Sequence, residues 1–67
     1  MFEEGTVDTY NDVSGYGWIT LDRSGEKVYV DFKALPQGVK TLEGGQRVRV
    51  EYGQIPRGLK ASSVSLL

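Results

Sequence analysis

Breaks recur along this chain at short, even intervals, and they leave no room for a long element. Polar or glycine-bearing clusters stand at residues 11–15, at Asp22-Arg23-Ser24-Gly25, at Pro36-Gln37-Gly38, at Glu43-Gly44-Gly45 and over residues 53–58. Glycine, proline and the short polar side chains favour turns for separate backbone reasons, so clusters of them punctuate a fold. Between the breaks lie segments 5–10, 16–21, 27–32, 47–52 and 60–66, rich in Val, Tyr, Thr and Ile. Each is about the usual length of a strand. None keeps a helical apolar period for more than a turn, and Lys33-Ala34-Leu35 is at most a short 3₁₀ turn. Five strands without a long helix predict an all-β domain closed, or nearly closed, into a small barrel, since closure disposes of edge strands.

Strand alternation then assigns faces, because successive side chains point to opposite sides. Tyr16 and Trp18 share one side of the second segment while Ile19 and Leu21 share the other. Val28 and Val30 oppose Tyr29 and Asp31; Val48, Val50 and Tyr52 oppose Arg47, Arg49 and Glu51; Val64 and Leu66 share a face. The predicted core is Val7, Ile19, Val28, Val30, Leu42, Val48, Val50 and Val64. Alternation also puts Phe32 on the core side, with Val28 and Val30. Aliphatic residues thus fill the interior unaided, leaving Tyr16, Trp18 and Tyr29 together on an outer face. Such a patch marks a binding site, and flat rings suit unstacked nucleobases, worth about 1–3 kcal/mol each. Gly17, between two of these rings, has no side chain to pack and signals the close approach of a backbone or a ligand.

Composition narrows the functional classes. Sixty-seven residues allow one domain, and a chain this short buries only about 60% of its unfolded surface. Cysteine and histidine are both absent, which removes disulfides, thiolate nucleophiles, Cys/His zinc sites and imidazole bases. No apolar run approaches a membrane span and the first residues do not read as a signal segment, so the cytoplasm is the expected compartment. Asp8, Asp12 and Asp31 lack the oxygen-rich loop of a hard-cation site. The expectation is a binding module that is not an enzyme, with no cofactor, metal, membrane or small-molecule substrate. The net charge of −1 conceals an asymmetry: residues 1–31 carry seven acids against two bases, and residues 32–67 carry six bases against two acids. Either these charges intermix on folding, or they form a dipolar surface that attracts an anion.

From about residue 5 to residue 66, the chain resembles a cold-shock domain. Gly15-Tyr16-Gly17-Trp18-Ile19-Thr20 resembles the family's first ribonucleoprotein motif, usually K-G-F-G-F-I, and Val28-Tyr29-Val30-Asp31-Phe32 resembles the second, usually V-F-V-H-F. Gly5-Thr6-Val7, Asn11, Ala34-Leu35, the run from Leu42 to Val48, and Pro56-Arg57-Gly58 add matches. The resemblance implies a five-stranded antiparallel barrel of the oligonucleotide-binding (OB) type, with single-stranded DNA or RNA on its aromatic face, as an RNA chaperone or transcription antiterminator. It implies base stacking on Tyr16, Trp18, Tyr29 and Phe32, so that Phe32 would point outward, contacts to base edges or sugar from Tyr10 and Asn11, and phosphate contacts from Arg57 and Lys60.

The departures from the family pattern bear on strength of binding. Where the family begins V-K-W-F-N, this chain reads Val7-Asp8-Thr9-Tyr10-Asn11; Ser14 replaces the lysine before the first motif, Asp31 the histidine of the second, and Val39 a later aromatic. Lost stacking partners at about 1–3 kcal/mol each would take micromolar binding toward millimolar. Carboxylates in the site raise the cost of a nearby phosphate. Asp31 has a compensating use, accepting from a base amino group, whereas Asp8 needs a cation across the barrel, Arg57 or Lys60. Two functions stay open: weakened or altered single-strand binding, or a barrel of this type turned to protein–protein contact. In the second, the aromatic patch would be a hot spot, or Arg47 and Arg49 would meet the acidic half of another copy.

Overall fold

The computed structural model describes residues 2–67. Strands β1 (Phe2–Asn11), β2 (Tyr16–Leu21), β3 (Lys27–Asp31), β4 (Arg47–Ile55) and β5 (Gly58–Leu66) form a closed barrel in the order β1-β2-β3-β5-β4, with a 3₁₀ turn at Phe32–Ala34. It is the all-β OB barrel expected. Pairing is antiparallel except where the barrel closes, at the parallel β3–β5 contact of Val28 with Leu59 and Tyr29 with Lys60.

Strand β1 is longer than its composition predicts because it serves two partners: residues 2–6 pair with β4 and residues 5–11 pair with β2. A register shift between Val7 and Thr9 bends it between those duties, the usual effect of a β-bulge. The bend presses β1 onto β2. A Cβ at Gly17 would stand 2.2 Å from the Thr9 carbonyl oxygen and 2.7 Å from the Tyr10 Cα. The close approach read at Gly17 is therefore to the backbone of β1. Residues 53–58 are less of a break than they read, since β4 runs on to Ile55, β5 starts at Gly58, and Pro56-Arg57 alone make the turn.

The core is the predicted aliphatic set, seven of its members on strands and Leu42 in the segment before β4. Val7, Ile19, Val28, Val30, Leu42, Val48, Val50 and Val64 are all buried, joined by Leu21, Ala34 and Ala61, and no polar residue is buried with them among the described residues. Leu66, on the Val64 face but last in its strand, is exposed. Tyr52 is half-buried against the core and its hydroxyl donates to Glu3 Oε2 at 2.6 Å.

Alternation fails at Phe32, which is 63% exposed. The strand stops one residue earlier than its composition suggests. The Asp31 carboxylate accepts from the Lys33 amide at 3.0 Å and caps the 3₁₀ turn, so Phe32 leaves the pleat before it can point inward. Its amide donates to the Gly15 carbonyl at 2.9 Å and its ring lies over Gly15, where a Cβ would come within 3.0 Å of Cδ2. Gly15 also has φ +80°, a conformation that favours glycine.

The sequence halves do not stay apart in space. Arg47 holds Asp22 through both guanidinium nitrogens, at 2.7 and 2.6 Å, donates to Thr6 Oγ1 at 2.8 Å and lies 3.7 Å from Glu4. Arg49 also reaches Glu4, at 3.6 Å. Lys60, from the basic half, meets Asp31, from the acidic half. The charges intermix.

Candidate nucleic-acid interface

The antiparallel pairing of β2 with β3 sets the aromatic face. Trp18 stands directly opposite Tyr29 and Tyr16 opposite Asp31. Side chains that share a face on neighbouring strands are within contact distance. The Tyr16 and Tyr29 rings stack with centroids 5.8 Å apart and planes 29° from parallel. Trp18 meets Tyr29 edge-on, at 5.5 Å and 72°. Trp18 is 40% and Tyr16 45% exposed, with Tyr29 half-buried between them. The aromatic surplus forms one continuous outer surface, and Phe32 extends the exposed rings past the end of β3.

Closure of β3 against β5 adds the cations. A groove of about 400 Å³ is lined by Trp18, Lys27, Tyr29, Ile55, Arg57, Gly58, Leu59 and Lys60. It brings together four of the residues read from sequence, Trp18, Tyr29, Arg57 and Lys60. Lys27, Ile55 and Leu59 escaped the sequence reading. Strand alternation carries a signal for Lys27, two residues from Tyr29 and therefore on its face. Ile55 and Leu59 carry none, because their place depends on the β4–β5 turn. A second depression of about 410 Å³ continues past Lys60 and Ile55 toward Asp31, Lys33 and Gln54.

The other predicted residues lie at the β1–β2 end. Tyr10 pairs with Gly17 and Asn11 with Tyr16. The Asn11 side-chain oxygen accepts from the amides of Val13 at 2.8 Å and Ser14 at 3.0 Å, holding the β1–β2 turn. Tyr10 is half-buried against the core, and its hydroxyl is enclosed with no hydrogen-bond partner among the described residues. That burial, with the charges of Asp31 and Asp12 and the neighbouring Tyr29, pushes its ionisation above the ordinary phenol value. Val39, where the family carries an aromatic, packs against the core.

Both carboxylates of the interface have partners, and for Asp8 the partner is neither Arg57 nor Lys60. The bulge turns Asp8 toward β2, where Thr20 Oγ1 donates to its Oδ1 at 2.8 Å, and the Lys27 ammonium bonds its Oδ2. Thr20 and Lys27 are themselves opposite one another on β2 and β3, so the three side chains run in a row across three strands. Sequence order hides this row because only the pairing register aligns it. Hydrogen bonds from Lys27 and then Thr20 hold the Asp8 carboxyl below the usual 3.8. Asp31 lies diagonally from Lys60, which pairs with Tyr29, and its Oδ2 is 3.7 Å from Nζ. One oxygen of Asp31 serves the 3₁₀ cap and the other faces Lys60, so both are engaged within the chain.

An OB barrel carrying an exposed, ring-paved strand pair beside a cationic groove defines the class of small single-strand-binding domains. The chain belongs to the cold-shock DNA-binding domain family, whose model matches residues 3–67. It is 45% identical to the cold shock-like protein CspA of Shewanella violacea over 64 residues, 94% of this chain and 91% of that one. It is 39% identical to the cold shock protein CspV of Vibrio cholerae, over the same shares of the two chains. With the cold shock protein CapB of Pseudomonas fragi the identity is 36%, across 97% of this chain and 94% of the relative. The protein is a nucleic-acid-binding domain and not an enzyme.

Proposed function

We propose that this protein binds a single strand of DNA or RNA across the β2–β3 face, weakly for its family, and serves in the cytoplasm as an RNA chaperone or transcription antiterminator. Bases stack on Tyr16, Trp18, Tyr29 and Phe32, phosphates meet Arg57 and Lys60, and Tyr10 and Asn11 border the strand at the β1–β2 end. The observation that carries this reading is the Trp18–Tyr29 pair, an exposed and a half-buried ring 5.5 Å apart on the wall of a groove that also holds Arg57 and Lys60. Stacking on such rings tolerates any base, because every base offers a π-face. Weakness follows from Thr9 and Val39, where the family's further rings are missing, and from the pairing of Lys60 with Asp31.

The reading is tested by titrating the protein with oligo-dT and then with a mixed RNA oligomer at low salt, following the fluorescence of Trp18, the single tryptophan. Saturable quenching that weakens as salt rises is the expected result. A flat response up to millimolar nucleotide would reject the reading in favour of a protein-binding use of the same rings. Self-association through Arg47 and Arg49 draws no support from their geometry, since both reach Glu4 within the molecule.

A further inference from the structure

Of the groove's three cations, two are already matched to carboxylates of their own chain. Lys27 bonds Asp8, and Lys60 lies 3.7 Å from Asp31. No ion pair is formed by Arg57 among the described residues. The lysine side chains stay 59% and 43% exposed, so these pairs sit at the surface, where an ion pair contributes little net stability and breaks readily. Each ammonium carries three donors and can swing to a second anion while its carboxylate stays behind. The contrast is with Arg47, whose planar fork grips both oxygens of Asp22 and has no comparable freedom.

We infer that Lys27 is a phosphate-contacting residue of the groove, and that Asp8 and Asp31 act as internal counterions from which Lys27 and Lys60 are taken by the backbone of a bound strand. This deepens the single-strand reading and rests on it. Asp8 stands where the family carries a lysine, so the cation missing from β1 is supplied from β3, across the Thr20 row. A further consequence concerns salt. Binding of a single strand depends on salt by about 0.7 in log–log slope for each phosphate neutralised, because bound counterions are released. A lysine leaving a carboxylate exposes that carboxylate to solution cations, which offsets the release. The slope of the native protein therefore undercounts its contacts.

The test is the Trp18 fluorescence titration with oligo-dT at a series of salt concentrations. Four variants are compared with the native chain: Asp8→Asn, Asp8→Asn with Lys27→Gln, Asp31→Asn, and Glu51→Gln as a control of equal charge change on β4 outside the groove. Asparagine keeps an acceptor for Thr20 at position 8 and for the Lys33 amide at position 31, and melting curves check that each variant folds. Asp8→Asn is expected to tighten binding about threefold to tenfold at low salt and to steepen the slope by about 0.7, one phosphate. Adding Lys27→Gln removes both gains. Asp31→Asn steepens the slope similarly, and Glu51→Gln moves neither quantity. Equal affinity and slope for Asp8→Asn with and without Lys27→Gln would overturn the inference while leaving the single-strand reading intact. So would a control that matches Asp8→Asn. Absence of quenching in the native protein and in Asp8→Asn alike would overturn both.

Discussion

Two faces of this barrel carry acids and bases side by side and use them in opposite ways. Between β1, β4 and the β2–β3 turn, Arg47 ties Asp22, Thr6 and Glu4 into one cluster, and its bidentate grip on Asp22 is specific and closed. Along β2, β3 and β5, Lys27 and Lys60 meet Asp8 and Asp31 through single ammonium groups beside exposed rings. The chemistry of the ions is similar on both faces. What separates them is geometry: a planar fork bound at two points stays where it is, while a lysine on a flexible stem beside an aromatic surface remains open to exchange. A charge pair marks a binding surface when it can be exchanged, and marks a fastening when it cannot.

The largest expected effect is one that spoils both faces together. β1 contributes Asp8 to one face and Glu4 and Thr6 to the other, and Gly17 lets it lie against β2. Gly17→Ala drives a methyl group into the Thr9 and Tyr10 backbone. It should cost about 3 kcal/mol or more, much of the stability of so small a domain, read from urea unfolding. A loss under about 1 kcal/mol would show that the bulge relaxes and that the two faces are not coupled through β1.

Changes to the rings should separate the faces. Trp18→Ala or Tyr29→Ala should each weaken oligonucleotide binding by about 1–3 kcal/mol, roughly fivefold to 150-fold, with the oligonucleotide carrying the fluorophore. Arg47→Gln should leave that affinity unchanged while lowering the melting temperature. If Arg47→Gln weakens binding as much as Trp18→Ala does, the closed cluster takes part in recognition and the contrast fails.

The smallest effect is with acid. Arg47 holds the Asp22 carboxyl below its usual 3.8, as Lys27 and Thr20 hold that of Asp8. Carboxylates depressed in the folded state contribute stability that is fully present above the unfolded value and is lost as pH falls through the folded value. The melting temperature should thus hold from neutrality down to about pH 4 and decline below it. Asp22→Asn should blunt that decline. An unaltered acid limb in Asp22→Asn would place the acid-sensitive pairing elsewhere.

Legibility varied with the kind of information a residue carries. Period-two alternation accounts for every strand member of the predicted core, Leu42 lying outside the strands, because a side chain in a regular strand has only two faces to choose between. It misplaced Phe32, where the Asp31 cap ends the strand and the period with it. It likewise overrated the break at residues 53–58, since a two-residue turn lets the flanking strands run nearly to its edge. The rings Tyr16, Trp18 and Tyr29 were legible as a group because they alternate in phase on strands that are neighbours in the chain. Ile55, Leu59 and the role of Lys27 were not, because their neighbours come from the closing β3–β5 contact and from the bulge in β1.

Spacing of turn residues and alternation of apolar ones, both local properties of the chain, determine that this protein is a five-stranded barrel with an aliphatic interior and aromatic rings outside. Which carboxylate faces which cation is a different order of fact. Asp8 meets Lys27 because a bulge shifts register by one residue and two antiparallel pairings carry that shift across three strands. Lys60 comes to Asp31 because the barrel closes with β5 parallel to β3. Coulomb energy depends on distance in space, and distances across a closed barrel exist only once it has closed.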